Sequence, residues 1–351
     1  MIKLETSRRS FLFGAAAASA AVATPGLIRA QSNSGGRVVV GTWGGDYNRL
    51  LSEEVAPVVA NAGGYKMITD TGSATARKTK MITAARIGGG AMDVACLSDS
   101  DMFQMSQQNI LTSIEDQDIP NYANVFETFA NAYSIPHIYS AMVIVYDTSQ
   151  VEKAPTSYAE LWSDEYKGAI GFSDILFNYI LMSAAMAHGK SATDFASAKK
   201  ALSELKKAGG GKVYPSNEAI ANAFEAKEIK ATMMWKARAY QWQQAGLPVA
   251  AVVPSEGAIP VTFNAAATTF AENPSGASTV LNAMLDPDLQ LLFADAMGYL
   301  PTVSNAPISD EMRKTLGFTD SEREAFMPPD YEFLAGQLSD TQTWWNQRFK
   351  A

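Results

Sequence analysis

Two tryptophans stand where strands are predicted to end, and each offers a ring face that a cation could contact. Trp43 and Tyr47 belong to the turn Thr42-Trp-Gly-Gly-Asp-Tyr, which follows three valines, and Trp235 ends the apolar run Ile229–Met234. Ligands of open α/β sheets bind beyond the carboxyl ends of the strands, and a desolvated cation over an indole is stabilised by up to about 2 kcal/mol. We therefore expect Trp43, Tyr47 and Trp235 to contact a small ligand. The alternative is that these rings are core residues.

Polar residues near three predicted element ends have two interpretations each. Asp46 is either the N-cap of the helix after the turn or a ligand contact. Ser73 caps the next helix, whose free N–H groups could also bind a carboxylate. Ser98 and Asp99 open the sequence Ser98-Asp-Ser-Asp101, which alternates like a calcium loop but lacks its glycine and distal glutamate. We expect a loop at the edge of a ligand cleft there, without a metal.

Charged residues further along the chain would set the sign of the ligand. Lys236 and Arg238 directly follow Trp235, and they are either a solvated helix start or contacts to an anionic group. Glu256 either caps a segment that crosses between lobes or accepts hydrogen bonds from a ligand amine. These alternatives stay open at the level of the sequence.

The chain offers little for catalysis. Its two histidines, His137 and His188, form no paired site, and the sequence contains no nucleophile elbow, no GxGxxG after a strand and no P-loop. We therefore predict a binding protein, not an enzyme, without cofactor or metal. The alternative from another class is an exported hydrolase or lyase that uses Asp46, Asp99 or Asp101.

The elements that would position these residues alternate as in an α/β protein. Predicted helices separate most of the predicted strands, which argues for parallel sheets covered on both faces. The strands are expected at Val38–Thr42, Lys66–Asp70, Met92–Leu97, Met142–Tyr146, Ala169–Phe172, Ile229–Met234 and Val249–Val253. The helices are expected at Asp46–Ala60, Ala74–Arg86, Ser157–Trp162, Ser191–Lys207 and Asn217–Ala226.

Two extended segments, residues 134–147 and 250–264, have the character of passages between domains. About 320 residues exceed one comfortable hydrophobic core. A chain that leaves one α/β lobe and later returns would form two lobes with a cleft between them. Trp43 and Tyr47 would then lie at that cleft.

Residues 1–30 have the order of an export signal. A twin arginine, Arg8-Arg9, precedes an alanine-rich apolar run and small residues that end at Ala30. Without these residues the chain has 24 Lys+Arg and 35 Asp+Glu, a formal charge of −11, so we expect it to be repelled by nucleic acid. Cys96 is the single cysteine, which excludes an intramolecular disulfide, and its apolar strand pattern predicts a small buried hydrophobic residue.

The order of short motifs resembles extracellular solute-binding proteins of ABC importers, in the branch of the spermidine/putrescine receptors. Seven pieces carry the likeness over nearly all of the chain after the signal. They are Thr42-Trp-Gly-Gly-Asp-Tyr, Met92-Asp-Val-Ala, Pro155-Thr-Ser-Tyr-Ala-Glu-Leu-Trp, Glu165-Tyr-Lys-Gly, Met233-Met-Trp-Lys-Ala-Arg-Ala, Pro254-Ser-Glu-Gly-Ala-Ile and Gly298-Tyr-Leu-Pro-Thr.

The resemblance implies a two-lobed periplasmic-binding-protein fold (type II) whose lobes close over one solute like a hinge. We expect lobe 1 at residues 37–138 and 262–303, lobe 2 at residues 139–261, and helices at residues 304–351 that pack on the lobes. It also implies a periplasmic monomer, exported by the twin-arginine route, that delivers its solute to an inner-membrane ABC permease. A sensor subunit that reports the ligand to a membrane receptor is a further possibility.

The resemblance also implies which side chains line the cleft. Besides Trp43, Tyr47, Trp235 and the residue 98–101 loop, it adds Asp174, which matches a carboxylate that holds an amine in polyamine receptors, and Phe263 in the second passage. Phe177, Val261 and Phe263 stand where those receptors carry further acids or an aromatic ring. At least two amine anchors of the polyamine receptors are therefore missing, so the expected solute is amine-bearing and polyamine-like but carries only one positive group or is more apolar. The alternative is a zwitterionic or anionic solute of opine, amino acid or aminophosphonate type, held by Arg238, Lys236 and the Ser73 helix start.

Overall fold

The computed structural model describes residues 35–351. The export signal predicted at residues 1–30 lies outside the described residues. Within residues 35–351, every helix is too short or too polar to cross a bilayer.

Ten strands form one mixed sheet. In chain order they are β1 Gly36–Thr42, β2 Tyr65–Thr71, β3 Val94–Ser98, β4 Ile135–Asp147, β5 Ile170–Ser173, β6 Lys212–Tyr214, β7 Ala231–Trp235, β8 Val249–Val252, β9 Ile259–Ala267 and β10 Leu300–Pro301. All seven strands predicted from the sequence are present, and β6, β9 and β10 are additional.

Thirteen α-helices cover the sheet within the described residues. They are α1 Gly45–Leu50, α2 Ala56–Gly63, α3 Ala74–Ile87, α4 Asp99–Ser106, α5 Phe177–His188, α6 Phe195–Lys207, α7 Asn217–Glu225, α8 Lys236–Gln244, α9 Pro274–Met284, α10 Pro287–Met297, α11 Asp310–Leu316, α12 Asp320–Glu324 and α13 Tyr331–Trp344. A π-helical turn at Leu51–Val55 joins α1 to α2, and another at Trp345–Phe349 follows α13. The helix predicted at Ser157–Trp162 is a 3₁₀ turn, Tyr158–Trp162.

The sheet is parallel at its two ends and antiparallel in the middle. Its order is β2-β1-β3-β9-β4-β7-β5-β6, with β8 and β10 also paired to β4. β1 is parallel to β2 and β3, and β5 is parallel to β6 and β7. β9 runs antiparallel to both β3 and β4, and β4 runs antiparallel to β7. The prediction of parallel sheets is therefore wrong for the centre, because a chain that crosses on one strand and returns on its neighbour must pair antiparallel.

The two long central strands overlap the two segments predicted as passages: β4 coincides with residues 134–147, and β9 covers the end of residues 250–264. β4 pairs with β9 over Ile135–Met142 and with β7 over Met142–Tyr146, and β9 pairs with β3 over Phe263–Ala267. Each strand thus belongs to both ends of the sheet. Nearly every residue of β4 and β9 is buried, as expected for strands covered on both faces.

The buried apolar residues form separate cores at the two ends of the sheet. The core that we call the β1 core contains Val38, Val40, Val94 and Cys96, and it extends along α9 and α10. The core that we call the β5 core contains Ile170, Phe172 and Met233, and it extends along α5 and α6. Cys96 is fully buried and free, which confirms its predicted packing role.

The last part of the chain packs mainly on the β5 core. Leu316, Phe318, Leu334, Trp345 and Phe349 are buried within it. Helix α13 also contacts both α4 and α5, so it bridges elements from the two ends of the sheet.

Candidate functional site

The predicted aromatic turn forms between β1 and α1. Gly44 is the helix N-cap, and Gly45 has a φ of 67°, a conformation that favours glycine. Asp46 therefore lies in the first helical turn, where its carboxylate pairs with Arg49 at 3.1 Å. The interpretation of Asp46 as the N-cap is wrong, because the helix begins one residue earlier than the sequence suggested.

Trp43 lies at the edge of the β1 core, and its ring is in contact on several sides. Its centroid is 5.1 Å from that of Tyr47 and 5.2 Å from that of Phe263, both with edge-to-face geometry. The guanidinium of Arg77 lies 5.1 Å from the ring centroid. Arg77 therefore takes a position over the Trp43 ring that the sequence reasoning assigned to a ligand cation.

Arg77 is itself buried, and its guanidinium donates hydrogen bonds to backbone carbonyl oxygens. It donates to the oxygens of Cys96 at 2.9 Å and Gly72 at 3.0 Å, and burial lowers its pKa. Little in the sequence indicates this burial, since Arg77 stands one turn after the cap Ser73 in a helix with weak amphipathic character. A fixed positive charge next to Trp43 makes this side of the ring less favourable for a second cation.

Tyr47 packs inside the β1 core. Only 4% of its surface is exposed, and its hydroxyl shares a 2.8 Å hydrogen bond with His137 Nδ1. Burial raises the pKa of Tyr47 well above 10 and lowers the pKa of His137 to about 3, so both groups are neutral. In this structure Tyr47 supports the Trp43 turn from the inside, and its predicted contact with a ligand stays a prediction.

Asp99 is the most unusual of the predicted site residues. It is the first residue of α4 and is only 3% exposed. Its Oδ1 accepts hydrogen bonds from Tyr179 Oη at 2.7 Å and from the Ser100 N–H at 2.6 Å, and its Oδ2 accepts one from the Thr262 N–H at 3.1 Å. Among the ion pairs of residues 35–351, none involves Asp99.

Burial raises the pKa of Asp99 to about 6, although its hydrogen bonds partly offset this. A buried carboxyl group with only neutral donors around it favours either a proton or an added cation. Perturbed groups of this kind cluster at functional sites. The predicted loop at Ser98–Asp101 is wrong, since these residues start a helix with Ser98 as its N-cap, which accepts the Asp101 N–H at 3.4 Å.

Trp235 and Phe263 complete the arrangement around Asp99. Trp235 is 4% exposed, and its ring lies edge-to-face on Tyr179 at 4.6 Å. Phe263 follows Thr262 on β9 and contacts Trp43 and, at 5.0 Å, Tyr299. We call the meeting place of Trp43, Asp99, Tyr179, Trp235 and Phe263 the junction.

The junction joins elements from both ends of the sheet. Trp43 and Asp99 follow β1 and β3, Tyr179 and Trp235 follow β5 and β7, and Phe263 lies on the shared strand β9. Tyr179 was missed by the sequence reasoning, because no local pattern reveals a contact between residues 80 positions apart.

Arg238 lies near the junction on α8. It donates to Gln241 Oε1 at 2.8 Å and lies 3.8 Å from Glu218, while its buried Nε has no hydrogen-bond acceptor among residues 35–351. Its charge also partly offsets the rise that burial causes in the pKa of Tyr299. Lys236 and Arg238 do begin a helix, as one of the two interpretations held, but Arg238 is half-buried and not fully solvated.

Two further predicted residues serve as helix caps. Ser73 accepts the Ala76 N–H at 3.2 Å, which confirms it as the N-cap of α3. Glu256 accepts hydrogen bonds from Ser157 Oγ at 2.6 Å and from the Tyr158 N–H at 3.3 Å, so it caps the 3₁₀ turn at Tyr158–Trp162. One interpretation of Glu256 was a cap of the segment that crosses between lobes. The structure places this cap on the 3₁₀ turn instead.

Asp174 is occupied by other residues of the chain. Trp345 Nε1 donates to its Oδ1 at 2.8 Å, and Lys350 Nζ to its Oδ2 at 2.5 Å. The structure therefore does not offer this carboxylate to a solute amine in the way that the sequence analysis expected. The cause is the 345–350 segment, whose position the sequence could not reveal.

An open groove of about 480 Å³ runs along α1, α8 and α10. It is lined by Asp46, Tyr240, Gln241, Gln244, Asp295 and Ala296. Within residues 35–351 no group of three acidic, histidine or cysteine side chains is arranged to hold a metal ion. The groove is polar, and Asp46 contributes to it with the carboxylate that also pairs with Arg49.

A comparison with known families and sequences gives two matches. The family model described as bacterial extracellular solute-binding protein matches residues 56–319. The spermidine/putrescine-binding periplasmic protein of Escherichia coli (strain K12) is 29% identical over 219 residues, which cover 60% of this chain and 63% of that protein. The chain thus matches less than two thirds of that relative's length.

Solved structures are similar over a larger part of the chain. An ABC transporter from Clostridium perfringens ATCC 13124 has a TM-score of 0.76 at 24% identity, and the match covers 88% of this chain and 99% of that one. A GABA receptor, Atu4243, has a TM-score of 0.77 at 18% identity, with 90% and 98% covered. At these identities the likeness establishes the fold alone, which is the α/β fold of solute-binding proteins.

Proposed function

Because the chain belongs to the bacterial extracellular solute-binding proteins, we propose that it captures a small amine-bearing solute at the junction and delivers it to an ABC permease. The relative from Escherichia coli is described as periplasmic, which supports a periplasmic location for this chain. Export by the twin-arginine route is part of the proposal and rests on residues 1–30.

The observation that carries the proposal is the environment of Asp99. A buried carboxylate is costly unless a cation or several hydrogen bonds compensate it. Four donors act on Asp99, the N–H groups of Ser100 and Thr262 and the hydroxyls of Tyr179 and Tyr331, and all of them are neutral. A solute ammonium group would supply the positive charge that these donors lack.

Aromatic rings would enclose the rest of the solute. Trp235 packs edge-to-face on Tyr179, which donates to Asp99, and Phe263 follows Thr262, whose N–H also donates to Asp99. Aromatic faces of this kind bind methylene groups and attract cations. In this arrangement Trp43 contributes through Phe263 and not as the main cation partner, since Arg77 lies over its ring.

Closure over the solute would use the strands shared by both ends of the sheet. We propose lobe 1 at residues 37–138 and 262–303 and lobe 2 at residues 139–261, with β4 and β9 as the crossing strands. Asp99 belongs to lobe 1 and Tyr179 to lobe 2, so a solute at Asp99 touches both. A solute that binds the closed form better shifts the population toward it, and the permease would recognise that form.

A thermal-shift screen of the purified protein tests the proposal. The screen uses putrescine, spermidine, GABA, neutral amino acids and an opine, with sugars as negative controls. A solute present at 100 times its Kd should raise the free energy of unfolding by about 2.7 kcal/mol. A screen in which no amine raises the melting temperature would contradict the proposal.

The position of Arg238 favours a second candidate, a zwitterionic solute. The Nε of Arg238 is a buried donor without an acceptor among the described residues, and its guanidinium lies near Tyr299, which contacts Phe263. A carboxylate that accepts from Arg238 while an amine donates to Asp99 would satisfy both groups. The solved relative described as a GABA receptor is consistent with a solute of this type.

Substitution of Arg238 separates the two candidates. Arg238→Gln should weaken binding of GABA by about tenfold or more and leave putrescine binding unchanged, because only the former has a carboxylate. Arg37→Gln serves as a control for the loss of an arginine, since Arg37 is exposed and pairs with Glu272. Equal affinity of GABA for Arg238→Gln and the wild type would rule out the zwitterionic candidate.

The enzymatic alternative finds little support in the arrangement of its carboxylates. Asp46 pairs with Arg49, and Asp101 pairs with Lys78, so neither shares a site with Asp99. Recovery of every bound solute unchanged after prolonged incubation is the expected result. Any turnover product would favour a hydrolase or lyase.

A further inference from the structure

Helix α13, near the end of the chain, brings one further side chain to Asp99. Its first residue, Tyr331, stacks on Phe103 of α4 with ring centroids 5.9 Å apart. Phe103 follows Asp99 by four residues, and side chains at this spacing share one face of a helix. The phenol of Tyr331 is thereby placed beside the carboxylate of Asp99, to which its hydroxyl donates a hydrogen bond.

The following residues of α13 hold Tyr331 in this position. Asp330 caps the helix by accepting the Phe333 N–H at 2.9 Å, and the Phe333 ring lies edge-to-face on Phe195 of α6 at 5.0 Å. Leu334 is only 4% exposed and belongs to the β5 core. Helix α13 is therefore anchored on the β5 core, while its first residue contacts α4, which follows β3.

Two phenols thus contact one carboxyl group, and both act as donors to it. Burial and the nearby Asp99 charge raise the pKa of Tyr179 and of Tyr331 well above 10, so both hydroxyls keep their protons. A hydrogen bond to the charged form of an acid favours that form. The hydroxyl of Tyr331 therefore lowers the pKa of Asp99 and opposes the larger rise that burial causes.

The other ionisable groups around Asp99 leave its charge without a cationic partner. Tyr133 lies near Asp99, whose charge adds to the effect of burial and raises the pKa of Tyr133 to about 12, so this phenol is neutral as well. Asp101, on the same helix as Asp99, pairs with Lys78 of α3. The protonation of Asp99 is therefore controlled by burial and by neutral hydrogen-bond donors.

We propose that Tyr331 is a positioning residue of the solute site, which keeps Asp99 ionised and so extends amine binding to lower pH. Its hydroxyl acts through Asp99 and not through a contact with the solute. An ammonium group gains its charge interaction only from the ionised carboxyl group, so the pH at which Asp99 binds a proton sets the lower limit of solute binding. This inference rests on the proposed function, because it concerns the same carboxylate.

The pH dependence of solute affinity tests this role in Tyr331→Phe. The variant keeps the ring that stacks on Phe103 and removes only the hydroxyl. Calorimetric titrations at pH 5, 6, 7 and 8 use the amine that gives the largest thermal shift. Loss of a hydrogen bond to a charged group should move the midpoint of the affinity profile from about pH 6 upward by about one unit. The affinity should then be about tenfold lower than that of the wild type at pH 5 and nearly equal at pH 8.

Tyr214→Phe is the matched control, because the Tyr214 hydroxyl donates to Glu228 Oε2 at 3.0 Å on an exposed surface. Its affinity profile should coincide with that of the wild type. A loss of affinity in Tyr331→Phe that is the same at every pH would show a merely structural role and overturn the inference. An equal shift of the midpoint in Tyr214→Phe would overturn it as well.

Urea unfolding without solute separates this inference from the proposed function. The stability of Tyr331→Phe relative to Tyr331→Phe/Asp99→Asn should fall as the pH rises through about 7, about one unit higher than for the wild type relative to Asp99→Asn. This shift, together with a screen in which no amine binds, would contradict the proposed function and leave the effect of Tyr331 on Asp99 intact. Amine binding without a shift in either profile would overturn the role of Tyr331 alone.

Discussion

Tyr179 Oη donates a 2.7 Å hydrogen bond to Asp99 Oδ1, and this bond joins the two ends of the sheet. Tyr179 lies on α5 after β5, and Asp99 opens α4 after β3. The phenol supplies one of the donors that keep a buried carboxylate without a cationic partner. The pair therefore links the two ends of the sheet at the position where we propose that a solute amine binds.

The pH dependence of stability should reveal the buried Asp99. Its pKa is about 6 in the folded protein and about 3.9 in an unfolded chain. Because the folded state holds the proton more tightly, this carboxyl group stabilises the fold most below about pH 4, and the contribution is lost as the pH rises through 6. Two pKa units correspond to about 3 kcal/mol.

The measurement compares the wild type with Asp99→Asn by urea unfolding at pH 4, 5, 6 and 7. The comparison is needed because buried His137, with a pKa of about 3, acts with the opposite sign and destabilises the fold as the pH falls below 6.5. We expect the stability of the wild type relative to Asp99→Asn to be about 2–3 kcal/mol higher at pH 4 than at pH 7. A pH-independent difference would contradict the assignment.

Tyr47→Phe should reduce the stability of the fold without changing the affinity for the solute. The substitution removes the hydroxyl that bonds to His137 Nδ1 and leaves a buried ring nitrogen without this partner, which costs about 1–3 kcal/mol. Unfolding in urea measures the loss, and calorimetry measures the affinity. A tenfold loss of affinity with unchanged stability would instead place Tyr47 in contact with the solute.

Gly257, just before β9, should not tolerate a side chain. Its φ is 92°, and a Cβ atom there would lie 2.0 Å from the carbonyl oxygen of Ala325. Gly246 has a similar φ of 90° but open space around the Cβ position. Gly246→Ala should therefore cost only the backbone strain, about 1–2 kcal/mol.

Gly257→Ala should cost clearly more than Gly246→Ala, because the segment around Ala325 must move away from the crossing strand. The midpoints of urea unfolding give this comparison directly. Equal losses for the two variants would show that the contact between Gly257 and Ala325 is not tightly packed.

Local features of the sequence predicted local structure well. The three valines before Trp43 lie in β1, and Ser73 caps α3. The alternation of strands and helices was also sufficient for an α/β fold. Patterns of this kind depend on residues that are close together in the sequence, so the sequence alone reveals them.

The chemistry of the site depends on contacts that the sequence does not show. Asp99 meets Tyr179 and Thr262, and Asp174 meets Lys350, over separations of 80 to 176 residues. No sequence pattern pointed to Arg77 over the Trp43 ring, and the turn that places Trp43 at the junction directs Tyr47 into the core. A motif identifies which residues lie at the end of a strand. It does not show which side chains from distant parts of the chain already contact them.

The most direct test of the account is calorimetric titration of the wild type, Asp99→Asn and Asp101→Asn with the amine that gives the largest thermal shift. Asp101 lies on the same helix and pairs with Lys78, so its variant controls for charge and fold. We predict that the affinity of Asp99→Asn for the amine is lower than that of the wild type by a factor of about 100 or more, because a buried cation is left unpaired. The affinity of Asp101→Asn should differ from that of the wild type by only a small factor. Unchanged affinity in Asp99→Asn, or equal losses in both variants, would contradict the central claim that Asp99 holds the solute amine.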